Sequence, residues 1–332
     1  LHEEAFMKEK KLFALIAFLV LGLFIACEHL KVNNLKANYH FKKANKFYQD
    51  QAFKKAVAEY EEAIKFNPNL SKAYLYLGLC YQALYKPGIE DPRNKENGEK
   101  AIKNLKKALE FEPDNEDIIL ALGETYNRLR DFEGAEKYYI QILQRHPDKP
   151  QYYYVVAQFY RAFEKIDKAI EMYEKRISLD PNNPEGYKYL ANFYYNDLLN
   201  TAKDVETGKK YIDKAIELFE KVISLEPNNY ENYYSLGVAC WAKSYRVLPG
   251  EISEDRITTI NKGIKALEKA IELKPDFAES YAWINLLWRE MAKVDPKNEK
   301  KHIQTATEYQ NKFAEIQKKK KAREEFIKAL KK

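Results

Sequence analysis

Six prolines set the frame within which this chain folds. Pro68, Pro113, Pro147, Pro181, Pro227 and Pro275 follow "FN", "FE", "RH", "LD", "LE" and "LK". Their separations are 45, 34, 34, 46 and 48 residues, and the three long ones are 34 plus 11, 12 and 14. Proline cannot continue a helix, because it lacks the N–H and its ring clashes with the preceding turn. A breaker recurring at one period therefore cuts the chain into one supersecondary unit used repeatedly, with three copies carrying extra residues. No such unit buries its apolar face alone. Stability has to come from stacking neighbours, at roughly 1.5 to 3 kcal/mol per large buried side chain. The length of 332 residues agrees, since a single core does not grow comfortably beyond about 250 to 300 residues.

Each segment that ends at a proline reads as a helix: "AVAEYEEAIKFNP", "AIKNLKKALEFEP", "AEKYYIQILQRHP", "AIEMYEKRISLDP", "AIELFEKVISLEP" and "GIKALEKAIELKP". In the first of them Ala56, Tyr60 and Ala63 share one helical face. The Asn or Asp that follows each proline supports a turn. A second helical pattern precedes each segment in "YLYLGLCY", "ILALGETY", "YVVAQFY", "YKYLANFY" and "YYSLGVAC". It places a small residue, Gly78, Gly123, Ala157, Ala191 or Gly237, three positions before Tyr81, Tyr126, Tyr160, Tyr194 or Cys240.

The period of 34 and these two helices resemble the tetratricopeptide (TPR) repeat over about residues 37–293. The resemblance implies an all-α TPR superhelix, an α-solenoid of about six to seven helix-turn-helix repeats with a C-terminal capping helix. It also implies that the small residue lets two helices approach closely and that the first helices line an inner groove. The expected units lie near 37–70, 71–115, 116–149, 150–183, 184–229, 230–277 and 278–297. Lys43 stands where a leucine is usual, which suits an end with no neighbour to bury against. In the seventh first helix, "AESYAWINLLWREMA", Asn285 replaces the small residue. Residues 298–332 keep only a loose apolar stripe, Ile303, Ala306, Phe313 and Ile316, as a cap with one wet face should.

On the first helices, the residues flanking the packing face are expected to project into the groove: Phe41, Asn45, Tyr48, Leu75, Tyr154, Gln158, Arg161, Asn192, Tyr195, Tyr234 and Trp241. Tyrosine, tryptophan and arginine are enriched at interface hot spots, and aromatic residues serve equally well as packing between repeats. The lysine and asparagine set with which chaperone-binding TPR proteins clamp a terminal carboxylate is not matched, Leu75 and Leu79 occupying one of the places concerned. The insertions "LYKPGIEDPRNKENGEK", "LLNTAKDVETGKK" and "YRVLPGEISEDRITTINK" fall between the two helices of a unit and are expected as loops along one edge.

Little else in the chain points to chemistry. The histidines are scattered, the internal cysteines Cys80 and Cys240 sit inside apolar helical patterns, and no phosphate loop, serine elbow or metal-ligand spacing occurs. Repeats and cap account for nearly every residue after 36, so we expect no catalytic residues, no metal and no cofactor. The 56 basic and 50 acidic residues leave a net charge of +6, two interspersed signs without a basic stripe, which argues against nucleic acid. The run "KKKKAREEFIKALKK" near the end reads as a solvated helix, with contact to an anionic membrane or glycan as the alternative.

The N-terminus decides the compartment. Met7 followed by "KEKK" reads as a start, and residues 12–26 are a 15-residue apolar run, short of the roughly 20 that span a bilayer and suited to a signal-peptide core. "LFIAC" resembles the bacterial lipobox, with Phe24 departing from the usual leucine. That resemblance implies cleavage before a lipidated Cys27, a linker over 27–36 and an outer-membrane destination; an uncleaved anchor or ordinary secretion are the alternatives. The layout is similar to pilotin-type and outer-membrane-assembly TPR lipoproteins. It implies a scaffold holding a protein or peptide partner in its groove, with a glycan- or peptidoglycan-associated binder as the alternative. If Cys27 carries the lipid, Cys27→Ala moves the protein from the membrane to the soluble fraction, and persistence in the membrane pellet would exclude the lipid anchor.

Overall fold

The computed structural model describes residues 31–330. The apolar run and Cys27 lie outside them. Two compact units divide between Pro147 and Asp148. The first contains α1 (residues 31–49), α2 (Phe53–Phe66), α3 (Ser71–Leu84), α4 (Pro92–Phe111), α5 (Glu116–Arg128) and α6 (Phe132–Arg145). The second begins with α7 (Pro150–Ala162), α8 (Ile166–Leu179) and α9 (Pro184–Asn192), which runs through a π-helical turn (Phe193–Leu198) into the short α10 (Leu199–Thr201). It continues with α11 (Val205–Leu225), α12 (Tyr230–Ala242), a second π-helical turn (Lys243–Val247), α13 (Glu254–Leu273), α14 (Ala278–Val294) and α15 (Glu299–Leu330). Among the described residues there is no strand, and no helix is long and apolar enough to cross a membrane.

The prolines do what their chemistry requires. α2, α4, α6, α8, α11 and α13 all stop two residues before one. The residue between closes the helix by donating its backbone N–H four residues back, as Asn67 does to Ala63 and Glu226 to Val222. Asn115, Asn183 and Asn229 then accept an N–H from the first turn of the next helix, each at 3.0 Å, and relieve one of its unpaired donors. The tyrosine six residues after the proline closes the corner from above. Tyr187, Tyr233 and Tyr281 donate their hydroxyls to the carbonyls of Pro181, Pro227 and Pro275 at 3.1, 3.0 and 3.0 Å. Ile119 occupies this place after Pro113 and has no hydroxyl to give.

Within each unit, successive helices pack as antiparallel hairpins, α3 on α4, α5 on α6, α7 on α8, α12 on α13 and α14 on α15. The small residue makes the approach possible. A methyl group added at Gly78 would lie 2.7 Å from Leu105 Cγ, and one at Gly237 only 2.4 Å from Leu267 Cγ. Ala44, Ala157 and Ala191 stand at the equivalent place in other hairpins and are fully buried. Ala56, Tyr60 and Ala63 form the predicted buried face of α2, and Cys80 and Cys240 are buried free thiols pushed up to about 12 by burial.

The insertions differ from the loops expected of them. Where nothing is inserted, the two helices of a hairpin meet through a tight turn with one residue in the left-handed region, Gln51, Arg130 or Glu164. Where residues are inserted, most of the extra length is helix. α4, α11 and α13 are 20, 21 and 20 residues long, against 14 for α2, α6 and α8. Strong N-caps move their starts upstream: Asp91, followed by Pro92, accepts from Arg93 and Asn94, Asp204 accepts from Thr207, and Ser253 accepts from Arg256. The remaining loop is held from inside. Buried Asn94 donates to the Lys86 and Ile89 carbonyls at 2.8 Å and accepts from the Lys86 N–H at 2.7 Å.

The third insertion is fixed by buried charge. Lys243 lies 2.7 Å from both Asp213 and Asp255. Arg256, only 2% exposed, donates to Ser244 at 3.2 Å, to the Glu251 carbonyl at 2.8 Å and to Glu290 at 2.6 Å. Desolvation makes such a pair a weak source of stability when intact, and leaving one partner alone is expensive. Glu290→Ala should therefore cost about 3 to 5 kcal/mol, read as a fall in the urea midpoint. For the hairpin contact, Gly237→Leu should cost about 2 to 3 kcal/mol by overpacking. Adding Leu267→Ala should recover part of that loss, so that the double variant is more stable than Gly237→Leu alone; strict additivity of the two changes would show that the two side chains do not compete for one space.

Candidate functional site

In the first unit the expected site residues Phe41, Asn45 and Tyr48 come together on α1, and they are engaged in packing. The Phe41 ring lies 5.7 Å from Tyr60 and 6.2 Å from Tyr76, while Tyr48 meets Tyr76 at 5.4 Å and Phe53 at 5.7 Å. Asn45 accepts the buried Tyr60 hydroxyl at 2.7 Å. Burial raises the pKa of the Tyr48 hydroxyl. Tyr76, next to Leu75 on α3, is the ring that binds this cluster together and was not singled out from the sequence. Leu75 is half-buried beside it in the chain.

In the second unit, Tyr154, Gln158 and Arg161 run along one face of α7. Tyr154 stacks within 4.1 Å of Tyr189, and the buried Arg176 guanidinium lies over both rings at 5.4 and 5.1 Å. Gln158 donates to the Tyr173 hydroxyl, a group whose pKa burial pushes up to about 12. Arg161 reaches Asp197 at 2.7 Å and the Gln158 side-chain carbonyl at 3.0 Å. Asp197 belongs to the first π-helical turn, so that turn supplies the counter-charge. Gln158, Arg161, Phe193, Asn196, Asp197 and Thr201 line a cleft of about 860 Å³. Asn192 is exposed near its edge in sequence, and Tyr195, half-buried within the π turn, has its hydroxyl pKa raised by burial against an opposing Arg246.

Tyr234 and Trp241 on α12 lie in a second aromatic group. Trp283 donates its indole N–H to the Tyr234 hydroxyl at 3.0 Å and meets Trp241 edge-on at 4.8 Å. Trp241 also stacks on Tyr245 at 4.8 Å with 14° between the planes, and the Lys293 ammonium lies 5.6 Å from the Tyr245 ring centre. Trp241, Tyr245, Leu286, Arg289, Lys293 and Ile303 line a cleft of about 590 Å³. Tyr245 is half exposed there, and among the described residues Arg289 donates to the amide oxygens of Asn285 and Gln310, at 2.9 Å each, and to no carboxylate. In the sequence Tyr245 opens the inserted segment "YRVLPGEISEDRITTINK", where a loop is expected. The π-helical turn carries the helix on through it, placing it four residues after Trp241 on the same side. Arg289 and Lys293 come from α14, a helix on which the sequence pattern names no groove residue.

Among the described residues no cluster of His, Cys, Asp or Glu could hold a metal. The acidic side chain most deeply buried in these clefts, Glu290, is held by Arg256 and Lys293. The chemistry on offer is aromatic surface beside arginine and lysine side chains.

Comparison with known families agrees with the repeated helical hairpin. Residues 95–159, 150–193 and 205–229 each match a tetratricopeptide repeat model. No curated protein matches the chain. Similar solved structures include a tetratricopeptide repeat protein from Parabacteroides merdae at 14% identity, covering 86% of this chain and 98% of that one with a TM-score of 0.46. MamA from Desulfovibrio magneticus RS-1 is similar at 18% identity over 62% of this chain and 97% of its own, with a TM-score of 0.42. PilF of Pseudomonas aeruginosa is similar at 14% identity over 75% and 96%, with a TM-score of 0.43. With its proline-closed helical hairpins and three matched segments, the chain carries tetratricopeptide repeats over residues 95–193 and 205–229.

Proposed function

We propose that this protein is a non-enzymatic interaction scaffold of the bacterial envelope, tethered through Cys27 and holding a peptide or helical segment of another protein. Tetratricopeptide repeats bind protein partners, and the repeat match supports the scaffold reading. The lipobox-like "LFIAC" supports the tether and an outer-membrane location. The observation that carries the binding role is the Trp241–Tyr245 stack, half exposed at Tyr245 and lining a cleft with Arg289 and with Lys293, whose ammonium lies over the Tyr245 ring. Aromatic rings beside arginine are the composition of interface hot spots, where a few side chains supply most of the affinity. The cleft suits a segment with an apolar or aromatic anchor and one acidic group for Arg289, since Lys293 is paired with Glu290 and Glu299 also lines the cleft.

The same stack also supports the glycan reading, since flat exposed aromatic surface serves sugar faces. A photoreactive amino acid in place of Tyr245 separates the two. In intact envelopes it should give one discrete protein adduct, and Arg289→Glu should weaken that adduct about 30-fold if the cation is a hot spot contributing about 2 kcal/mol. Adducts that contain only glycan, or a protein adduct indifferent to Arg289→Glu, would set the scaffold reading of this cleft aside.

A further inference from the structure

The capping helix is longer than the helix it caps. α15 has 32 residues and α14 has 17. The two pack together through the first half of α15, where Ala306 is buried and Tyr309 joins the core around Leu287 and Met291. From 318 to 330 every residue is exposed. At about 1.5 Å per residue this stretch adds on the order of 20 Å of helix. It is an extension of a helix already nucleated on the array, so it does not have to form alone.

Its surface has two parts. Ile316, Lys319, Lys320 and Arg323 line a cleft against the turn Lys274–Glu279, which fixes the face that α15 turns toward the array. Ile327 stands eleven residues after Ile316, three helical turns on, and so continues that face. Beyond the cleft, Phe326, Ile327 and Leu330 are 64, 42 and 71% exposed. The second part is charge. Lys318 to Lys321, Arg323 and Lys328 outnumber Glu324 and Glu325. Lys319 is paired with Glu315 at 2.7 Å, and Lys321 only approaches Glu325 at 4.0 Å. Among the described residues no ion pair engages Lys318, Lys320, Arg323 or Lys328.

We propose that this helix end is a membrane contact, seating Phe326, Ile327 and Leu330 at the headgroup boundary of an anionic bilayer while the lysine run meets lipid phosphates. Large apolar side chains beside uncompensated cations are what such a surface rewards, through burial and through its negative potential. A nucleic-acid backbone would satisfy the lysines and give the three apolar side chains nothing. A second copy of the chain would cover the apolar tip and bring two under-neutralised lysine runs together. The contact is independent of the partner-binding cleft and of Cys27, and where an acyl anchor is present it supplies a second signal of the kind that makes attachment durable.

Backbone amide exchange of the full chain, followed peptide by peptide, tests this. On vesicles of equal parts phosphatidylglycerol and phosphatidylcholine, exchange over 318–330 should slow about tenfold or more, while phosphatidylcholine alone leaves it unchanged. The slowing should disappear when Lys318, Lys319, Lys320 and Lys321 are all changed to Gln, and again with Phe326→Ser, Ile327→Ser and Leu330→Ser together. These positions are exposed, so unchanged exchange in α12 to α14 verifies that each variant is folded. No slowing on anionic vesicles, or equal slowing on neutral ones, overturns the proposal. So does protection that arises without vesicles and grows with protein concentration, which would identify a second copy as the occupant.

Discussion

The closeness of two helices at one small residue governs most of what this structure does. Gly237 lies so near Leu267 that no side chain fits between, and Gly78 stands in the same relation to Leu105. A contact of that kind fixes rotation as well as distance, because turning either helix would drive a Cβ into the other. Once rotation is fixed, every other residue on the helix has an assigned direction. The candidate site residues obey this. Phe41, Leu75, Tyr154 and Tyr234 precede the small residue by three; Asn45, Gln158 and Asn192 follow by one; Tyr48, Arg161, Tyr195 and Trp241 follow by four. Those offsets fall on one side of a helix and form a stripe beside the packing seam.

Repetition made the hairpins legible from the sequence. Proline positions gave the ends of the second helices, and the small residue with its tyrosine gave the first helices. Each inference rested on local chemistry that reappears in the structure as a closing N–H, an asparagine cap and a tyrosine-to-carbonyl bond. The insertions were harder to read because their architecture depends on non-local partners. Lys243 finds Asp213, and Arg256 finds Glu290, across separations that no spacing rule connects. The π-helical turns at Phe193–Leu198 and Lys243–Val247 were hidden for a related reason. A single extra residue in a turn shifts the 3.6-residue period, so a pattern search sees the helix end where it in fact continues.

That shift bears on the site. Both π-helical turns follow directly on a first helix that carries stripe residues, and each adds a side chain that the regular repeat would not place there. The first brings Asp197 to Arg161, and the second brings Tyr245 onto Trp241. π-helical turns inside helices are often found at functional sites. Here the physical reason is plain: they redirect a side chain without interrupting the helix that holds it.

Position on the stripe therefore does not by itself decide whether a side chain is exposed or buried. The deciding factor is what the next hairpin presents. In the first unit it presents Tyr76, which fills the space between Phe41 and Tyr48, and the stripe becomes core. At α12 it presents Trp283, which lies at 63° to Trp241 and hydrogen-bonds Tyr234, while Trp241 stacks on Tyr245 along the cleft. Two aromatic stripes of the same origin thus end in different roles because one ring arrives between them and the other arrives beside them. A repeat array can in this way leave part of its packing stripe exposed by changing what the next hairpin presents, with the seam that orients it untouched.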